Sequence, residues 1–230
     1  MTIAENVALV RGNMDRAALA AGRDPKEILL LAATKMNDAD RVRQAIAAGV
    51  DLCGENRVQE MLEKQAQGAY AGVPLHFIGH LQKNKVKQVV GLAELIHGAD
   101  SLELLSLISR VAQARSLTQD VLLEVNIGGE SAKSGFAPEE VPEALARASA
   151  LPALRVRGLM AIPPVCAAPE ENRPFFLRMQ QLFIDNSEKK YDNIRMDFLS
   201  MGMSGDYTEA IACGANLVRV GSGIFGPRQY

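Results

Sequence analysis

Eight short apolar runs recur along this chain, and segments with helical spacing lie between them. The runs fall at about residues 28–35, 51–54, 75–80, 95–99, 121–127, 155–162, 196–201 and 217–221. Runs of this length, bounded by turn residues, read as buried strands. The intervening segments, among them 39–48 closed by Gly49, 102–114, 138–150 and 175–190, are long enough to cross back over a sheet. A strand, a crossover helix and a further strand force parallel pairing through right-handed connections. Eight such units of roughly 25 residues fill a closed (β/α)8 barrel. A doubly wound open sheet is the competitor, yet it would more often carry a GxGxxG turn after its first strand. Here that strand ends in Thr34-Lys35. The expected fold is therefore α/β, a single-domain TIM barrel over residues 1–230 with residues 1–24 as a leading helical segment outside the repeat. Helical spacing from 3 to 21 stops at Gly22, and Asp24-Pro25 turns the chain toward the first strand.

The charges narrow the partners. Lys and Arg number 25 against 27 Asp and Glu, a formal net charge of −2. Neither nucleic acid nor an anionic membrane surface is expected as a partner, because both call for a basic excess or basic clusters. No apolar run approaches the roughly 20 residues of a membrane-spanning helix, and the N-terminus lacks the basic-then-apolar pattern of a secretion signal. A cytoplasmic monomer is expected. Cys53, Cys166 and Cys213 are far apart and in no CxxC spacing, which argues against a disulfide framework and a zinc site. Each reads as a small apolar packing residue.

Lys35 falls at the C-terminal mouth of the first strand, where barrel enzymes build their sites. If it points inward, the period of two sends Leu29, Leu31 and Ala33 inward as well. Poor solvation lowers a lysine's pKa and frees its amine to attack an aldehyde; a strand-end lysine reaching into water fits the same residues. Arg219 lies inside the last strand between Val218 and Val220, so in a closed barrel it takes the face opposite the valines, the interior. A guanidinium there needs a mate, either a ligand or a carboxylate. Gly221-Ser222-Gly223 follows directly, and Ser200-Met201-Gly202-Met203-Ser204 ends the seventh strand. Loops after strands seven and eight are where barrels bind phosphate, on backbone amides that small residues leave accessible. Asn56, in Gly54-Glu55-Asn56, either hydrogen-bonds a ligand at the same mouth or caps a helix. His76 and His80, placed on one strand, stand roughly 13 Å apart, too far to share a metal ion. Lys83, Lys85 and Lys87 read most simply as a solvated helix start and otherwise as a patch for an anionic ligand or partner, and residues 131–135 as a loop without specific chemistry.

An inward lysine on the first strand, an inward arginine on the last and a phosphate cradle beside it suit pyridoxal phosphate. The motifs AATK (32–35), GEN (54–56), HFIGHLQKNK (76–85), KSG (133–135), RGLMAIPP (157–164), LSMGMSGDYTEAI (199–211) and VRVGSGIFGPR (218–228) together resemble the pyridoxal phosphate homeostasis protein family. The resemblance spans almost the whole chain, in family order. It implies a barrel like the N-terminal domain of alanine racemase, with pyridoxal 5'-phosphate held as an internal aldimine on Lys35. It further implies Arg219 facing the pyridine nitrogen, Ser200 and the amides of Gly221, Ser222 and Gly223 around the phosphate, and Asn56 near the ring. The implied function is intracellular vitamin B6 homeostasis, with cofactor-dependent apoenzymes as recipients. The chain departs from many relatives at Thr34, where they carry serine, and at Cys53, where they carry phenylalanine.

Two enzymes compete with a carrier. An amino-acid racemase of the alanine racemase type would add a β-rich domain that brings a tyrosine base to the site, whereas this sequence ends at Tyr230, directly after the barrel. A Schiff-base aldolase would use Lys35 with an inward acid, for which Glu124 and Asp197 are the candidates. The expectation is a carrier without appreciable turnover, and so without catalytic residues.

Overall fold

Every apolar run of the sequence becomes a strand: β1 (Leu29–Ala33), β2 (Leu52–Glu55), β3 (Leu75–Phe77), β4 (Leu95–Ala99), β5 (Gln119–Glu124), β6 (Leu154–Met160), β7 (Ile194–Ser200) and β8 (Leu217–Val220). In the computed structural model, which describes residues 1–130, 133–188 and 191–227, the strands pair in parallel in sequence order and β8 returns to β1, closing a barrel. Between and around them run α1 (Ile3–Ala20), α2 (Ala39–Ala47), α3 (Val58–Ala66), α4 (Val86–Val89), α5 (Leu102–Ala114), α6 (Val141–Ser149), α7 (Arg173–Ser187), α8 (Tyr207–Ala212) and α9 (Ser222–Phe225). The TIM barrel with its extra N-terminal helix is the fold the alternation required. Residues 131 and 132 of the 131–135 loop, the end of the helix expected to reach Lys190, and residues 228–230 lie outside the described residues.

Strand parity sorts the side chains. Leu29, Leu31 and Ala33 cluster with Leu52, Ile78 and Leu217 inside the barrel, while Leu30 and Ala32 join the larger core between strands and helices. Val218 and Val220 belong to that outer core, which turns Arg219 inward. On α1, Ile3, Val7, Val10, Met14 and Ala18 recur every three or four residues and bury one face against α2, α8 and α9. A capping box between Thr2 and Glu5 starts the helix, and Asn6 donates to the Ile224 carbonyl at 2.8 Å. The leading helix thus braces the β8 side of the barrel mouth.

Several elements differ from expectation; β5, for one, ends at Glu124 rather than near residue 127. The third strand ends at Phe77 rather than near residue 80, since the Gly79 backbone passes so close to Asn56 that a Cβ there would lie 2.2 Å from the Asn56 carbonyl oxygen. His76 is therefore on β3, but His80 is beyond it. The segment 138–150 opens as a 3-10 turn, Pro138–Glu140, before α6, whose first turn holds Pro142, a place where the missing N–H breaks no helical bond.

On the outer face of β2, Glu55 is fully buried. One of its oxygens accepts from the Thr34 hydroxyl at 2.6 Å, Lys64 Nζ at 2.5 Å and the Tyr70 hydroxyl at 3.0 Å. Lys64 also donates to the Thr34 carbonyl at 2.7 Å. Burial, and then the Glu55 charge, drive the Tyr70 phenol far above its ordinary range, so it remains a donor. The hydroxyl that Thr34 shares with serine is the group in use here. Removing Lys64 would leave the carboxylate buried without its cation. Lys64→Met should therefore cost about 3 kcal/mol of unfolding free energy in urea titrations; a loss below about 1 kcal/mol would reduce the pair to the worth of an exposed one.

Candidate functional site

Lys35 follows β1 on the inward parity of Leu31 and Ala33 and is half-buried. With Arg41, Ser204, Arg219, Gly221 and Ser222 it lines a cavity of about 620 Å³, the size of a small-molecule site. A larger hollow, about 730 Å³, opens among Gln119, Asp120 and Arg155 at the other end of the barrel. In this fold chemistry belongs at the C-terminal strand ends, so the smaller cavity is the candidate.

Arg219 forms the floor, 4% exposed. It donates through one terminal nitrogen to Ser200 Oγ at 2.5 Å and through the other to the Ala161 carbonyl at 3.0 Å. Burial pulls its pKa down to about 10, opposed by Asp206 and Glu124, and it remains a cation at neutral pH. Ser200, fully buried as the last residue of β7, lies against the guanidinium and does not line the cavity. Ser204 is the serine at the cradle: its Oγ accepts from the amides of Gly221 at 3.1 Å and Gly223 at 3.2 Å. A Cβ at position 223 would lie 2.8 Å from Val220 Cγ1, so glycine lets α9 close against β8. Ser222 is exposed at the rim.

Asn56 caps no helix, since Arg57 is the N-cap of α3 and makes no side-chain capping bond. Asn56 is half-buried and outside the cavity lining, but its Oδ1 is shielded from water and has no hydrogen-bond partner among the described residues. From Ser200 a hydrogen-bonded line continues inside the barrel to His97 Nδ1 at 3.1 Å, and from His97 Nε2 to His76 Nδ1 at 3.0 Å. Burial, then Arg157, takes His76 down to about 3. Burial, then His76 and Arg219, takes His97 well below the histidine range. Sequence reading passed over His97 and Arg41, and took Ser200 rather than Ser204 from the loop after the seventh strand as the phosphate serine. By the same parity that turns Arg219 inward, His97, two residues after the inward Leu95 of β4, also faces the interior.

The remaining candidates are scattered. Glu124 ends β5 on the inward face, its carboxyl raised by burial and then by Asp100. His80 pairs with Asp100 at 3.1 Å in an exposed position. Asp197 is bound by Arg157, which also holds Asp120 at 2.6 Å. The Tyr207 hydroxyl accepts from Asn13 of α1 at 2.9 Å. Lys83 pairs with Glu103, and Lys133 with Glu130. Cys53 is buried in the outer core, its thiol pushed up to about 12 by burial and then by Glu55.

Over residues 6–229 the chain matches the family model of the alanine racemase N-terminal domain, which agrees with a barrel whose lysine and arginine meet at one mouth. Within that class the chain belongs to the pyridoxal phosphate homeostasis protein family. It is 42% identical to the pyridoxal phosphate homeostasis protein of Pseudomonas aeruginosa, over 100% of this chain and 97% of that protein. To the protein of the same name from Aquifex aeolicus it is 40% identical, over 100% of both. Among solved structures it is similar to PipY of Synechococcus elongatus PCC7942 with pyridoxal phosphate bound, at a TM-score of 0.83 and 31% identity over 98% of this chain and 100% of that one.

Proposed function

We propose that this protein holds pyridoxal 5'-phosphate on Lys35 and serves vitamin B6 homeostasis as a carrier, taking up the cofactor and releasing it to cofactor-dependent apoenzymes in the cytoplasm. The observation that carries the reading is that Lys35, Arg219, Ser204, Gly221 and Ser222 line one cavity, with Ser204 Oγ gathering the Gly221 and Gly223 amides at its edge. The residues fit the cofactor. Two amides already aim at a single oxygen, that of Ser204, in the way they would aim at a phosphate oxygen, and Asn56 offers an acceptor with no protein partner among the described residues. When bound, the cofactor supplies an aldehyde carbon for an amine to capture and a conjugated ring that can draw electrons from the captured group.

In this reading Lys35 Nζ is the capturing amine, and Leu31 and Ala33 beneath it limit its solvation. The amides of Gly221, Ser222 and Gly223, with the Ser204 hydroxyl, take the phosphate without adding net charge. Arg219 donates to the ring nitrogen and keeps it unprotonated, which weakens the ring as an electron sink. Ser200 supports Arg219 in place of the phosphate contact expected from sequence, and Asn56 stands beside the ring.

Weak electron withdrawal favours carrying over turnover. Racemisation also needs a second acid/base group opposite Lys35, yet His76 is buried with His97 and Tyr207 is engaged with α1. Loaded protein should pass its cofactor to a cofactor-free acceptor enzyme. In deuterated water it should leave the α-hydrogen of L-alanine as slow to exchange as free cofactor does. Rapid α-exchange that depends on Lys35 and scrambles the stereocentre would install the racemase reading instead.

A further inference from the structure

Two imidazoles in a packed barrel interior are costly to desolvate, and the function proposed above gives them no task. They belong to a line drawn from four strands: Arg219 of β8, Ser200 of β7, His97 of β4 and His76 of β3. The line has a direction. Arg219 can only donate, so its bond takes a lone pair of Ser200 and leaves the hydroxyl hydrogen for His97 Nδ1. His97 then carries its proton on Nε2 and gives it to His76 Nδ1, which places the His76 proton on its own Nε2. Run the other way, both His97 and Arg219 would donate to Ser200, and its hydroxyl hydrogen would lose its acceptor in the line. A doubly protonated His97 would set an imidazolium near a buried guanidinium.

We propose that His97, held by His76, is a positioning residue: it orients the Ser200 hydroxyl and thereby fixes the Arg219 guanidinium where it meets the ring nitrogen of the cofactor. The meeting with the ring rests on the function proposed above; the fixing of Arg219 does not. The charges around the line agree with neutral imidazoles. His97 faces His76 from β3 and Arg219 from β8, and Arg157 of β6 acts on His76. The carboxylates in range, Glu124 of β5 and Asp206 ahead of α8, act on Arg219.

Nitrogen-15 NMR of the imidazoles in cofactor-free protein tests the first part. Both histidines should stay neutral Nε2–H tautomers from about pH 8 to about pH 5, and Ser200→Ala should shift the His97 Nδ1 resonance. An Nδ1–H tautomer at His97, protonation in the ordinary range near pH 6.5, or indifference to Ser200→Ala would overturn the proposal. The second part is read in the visible spectrum of loaded protein. Asparagine at position 97 reaches about as far as Nδ1, and glutamine about as far as Nε2. His97→Asn should keep a band that does not move with pH, as in wild type. His97→Gln, which frees Ser200 and loosens Arg219, should acquire a pH-dependent band shift as the ring nitrogen becomes able to take a proton. If both variants lose stability equally and neither band moves with pH, His97 is packing and the proposal fails. A wild-type protein that forms no visible band would count against the carrier function, and the cofactor-free resonances would then decide whether His97 fixes Arg219.

Discussion

Lys35→Ala protein mixed with pyridoxal 5'-phosphate should form no visible absorption band and should retain no cofactor through a desalting column. Alanine keeps the backbone and the inward parity of β1, and Leu31 and Ala33 keep their neighbours, so the variant should still unfold cooperatively in urea. The loss is of ligand capture, not of fold. Without the covalent link, only the phosphate cradle and the Arg219 contact remain to hold the cofactor. Affinity should fall at least about a hundredfold, or about 2.8 kcal/mol. Borohydride added to loaded wild-type protein, followed by peptide mapping, should place the label on the peptide that contains Lys35. A surviving band in Lys35→Ala, or a label on Lys83 or Lys85, would move the site elsewhere.

Mild acid should weaken this fold before most carboxylates titrate. In the unfolded chain His76 and His97 take a proton near 6.5; in the native barrel His76 holds out to about 3, and His97 is held well below the ordinary value as well. Below 6.5 the unfolded state therefore binds protons that the native state refuses, and stability falls with pH. The contribution is whole above that point and drains away toward the native values. Each imidazole removes up to about 1.4 kcal/mol per pH unit. Two of them over the one and a half units from pH 6.5 to about 5 remove up to about 4 kcal/mol, a large share of the stability of many domains. Glu124, whose carboxyl is raised by burial, works in the opposite sense but is a single group. Urea titrations at several pH values should give a steep decline between pH 6.5 and about 5. Replacing both histidines with phenylalanine and leucine should flatten it, and an unchanged slope in that double variant would show that the histidines are not its source.

The barrel was legible because apolar runs and helical spacing alternate from β1 to β8, and eight such units fill a closed parallel barrel. Arg219 was legible for the same reason: Val218 and Val220 left it one face to take. Parity ends where a strand ends, however. Ser200, the last residue of β7, still obeys it and so points inward to Arg219, whereas Ser204 is carried to the Gly221 and Gly223 amides by a turn whose course no period encodes. The end of β3 depends on Gly79 meeting the Asn56 carbonyl across two strands, a contact without local trace. His97 was within reach of the parity argument and was missed among the apolar residues of its strand. The Lys64–Glu55 pair joins two residues whose meeting requires α3 to be folded back on β2.

The Glu55 cluster grips the Thr34 carbonyl and hydroxyl from outside the barrel, one residue before Lys35. The last peptide before the lysine is clamped on the side away from the cavity. The backbone that presents Lys35 is thereby held from behind, and a backbone so held does not have to move on the microsecond-to-millisecond scale on which loop gates open. If Lys35 holds the cofactor as proposed, its release should then need no prior opening of the β1 backbone.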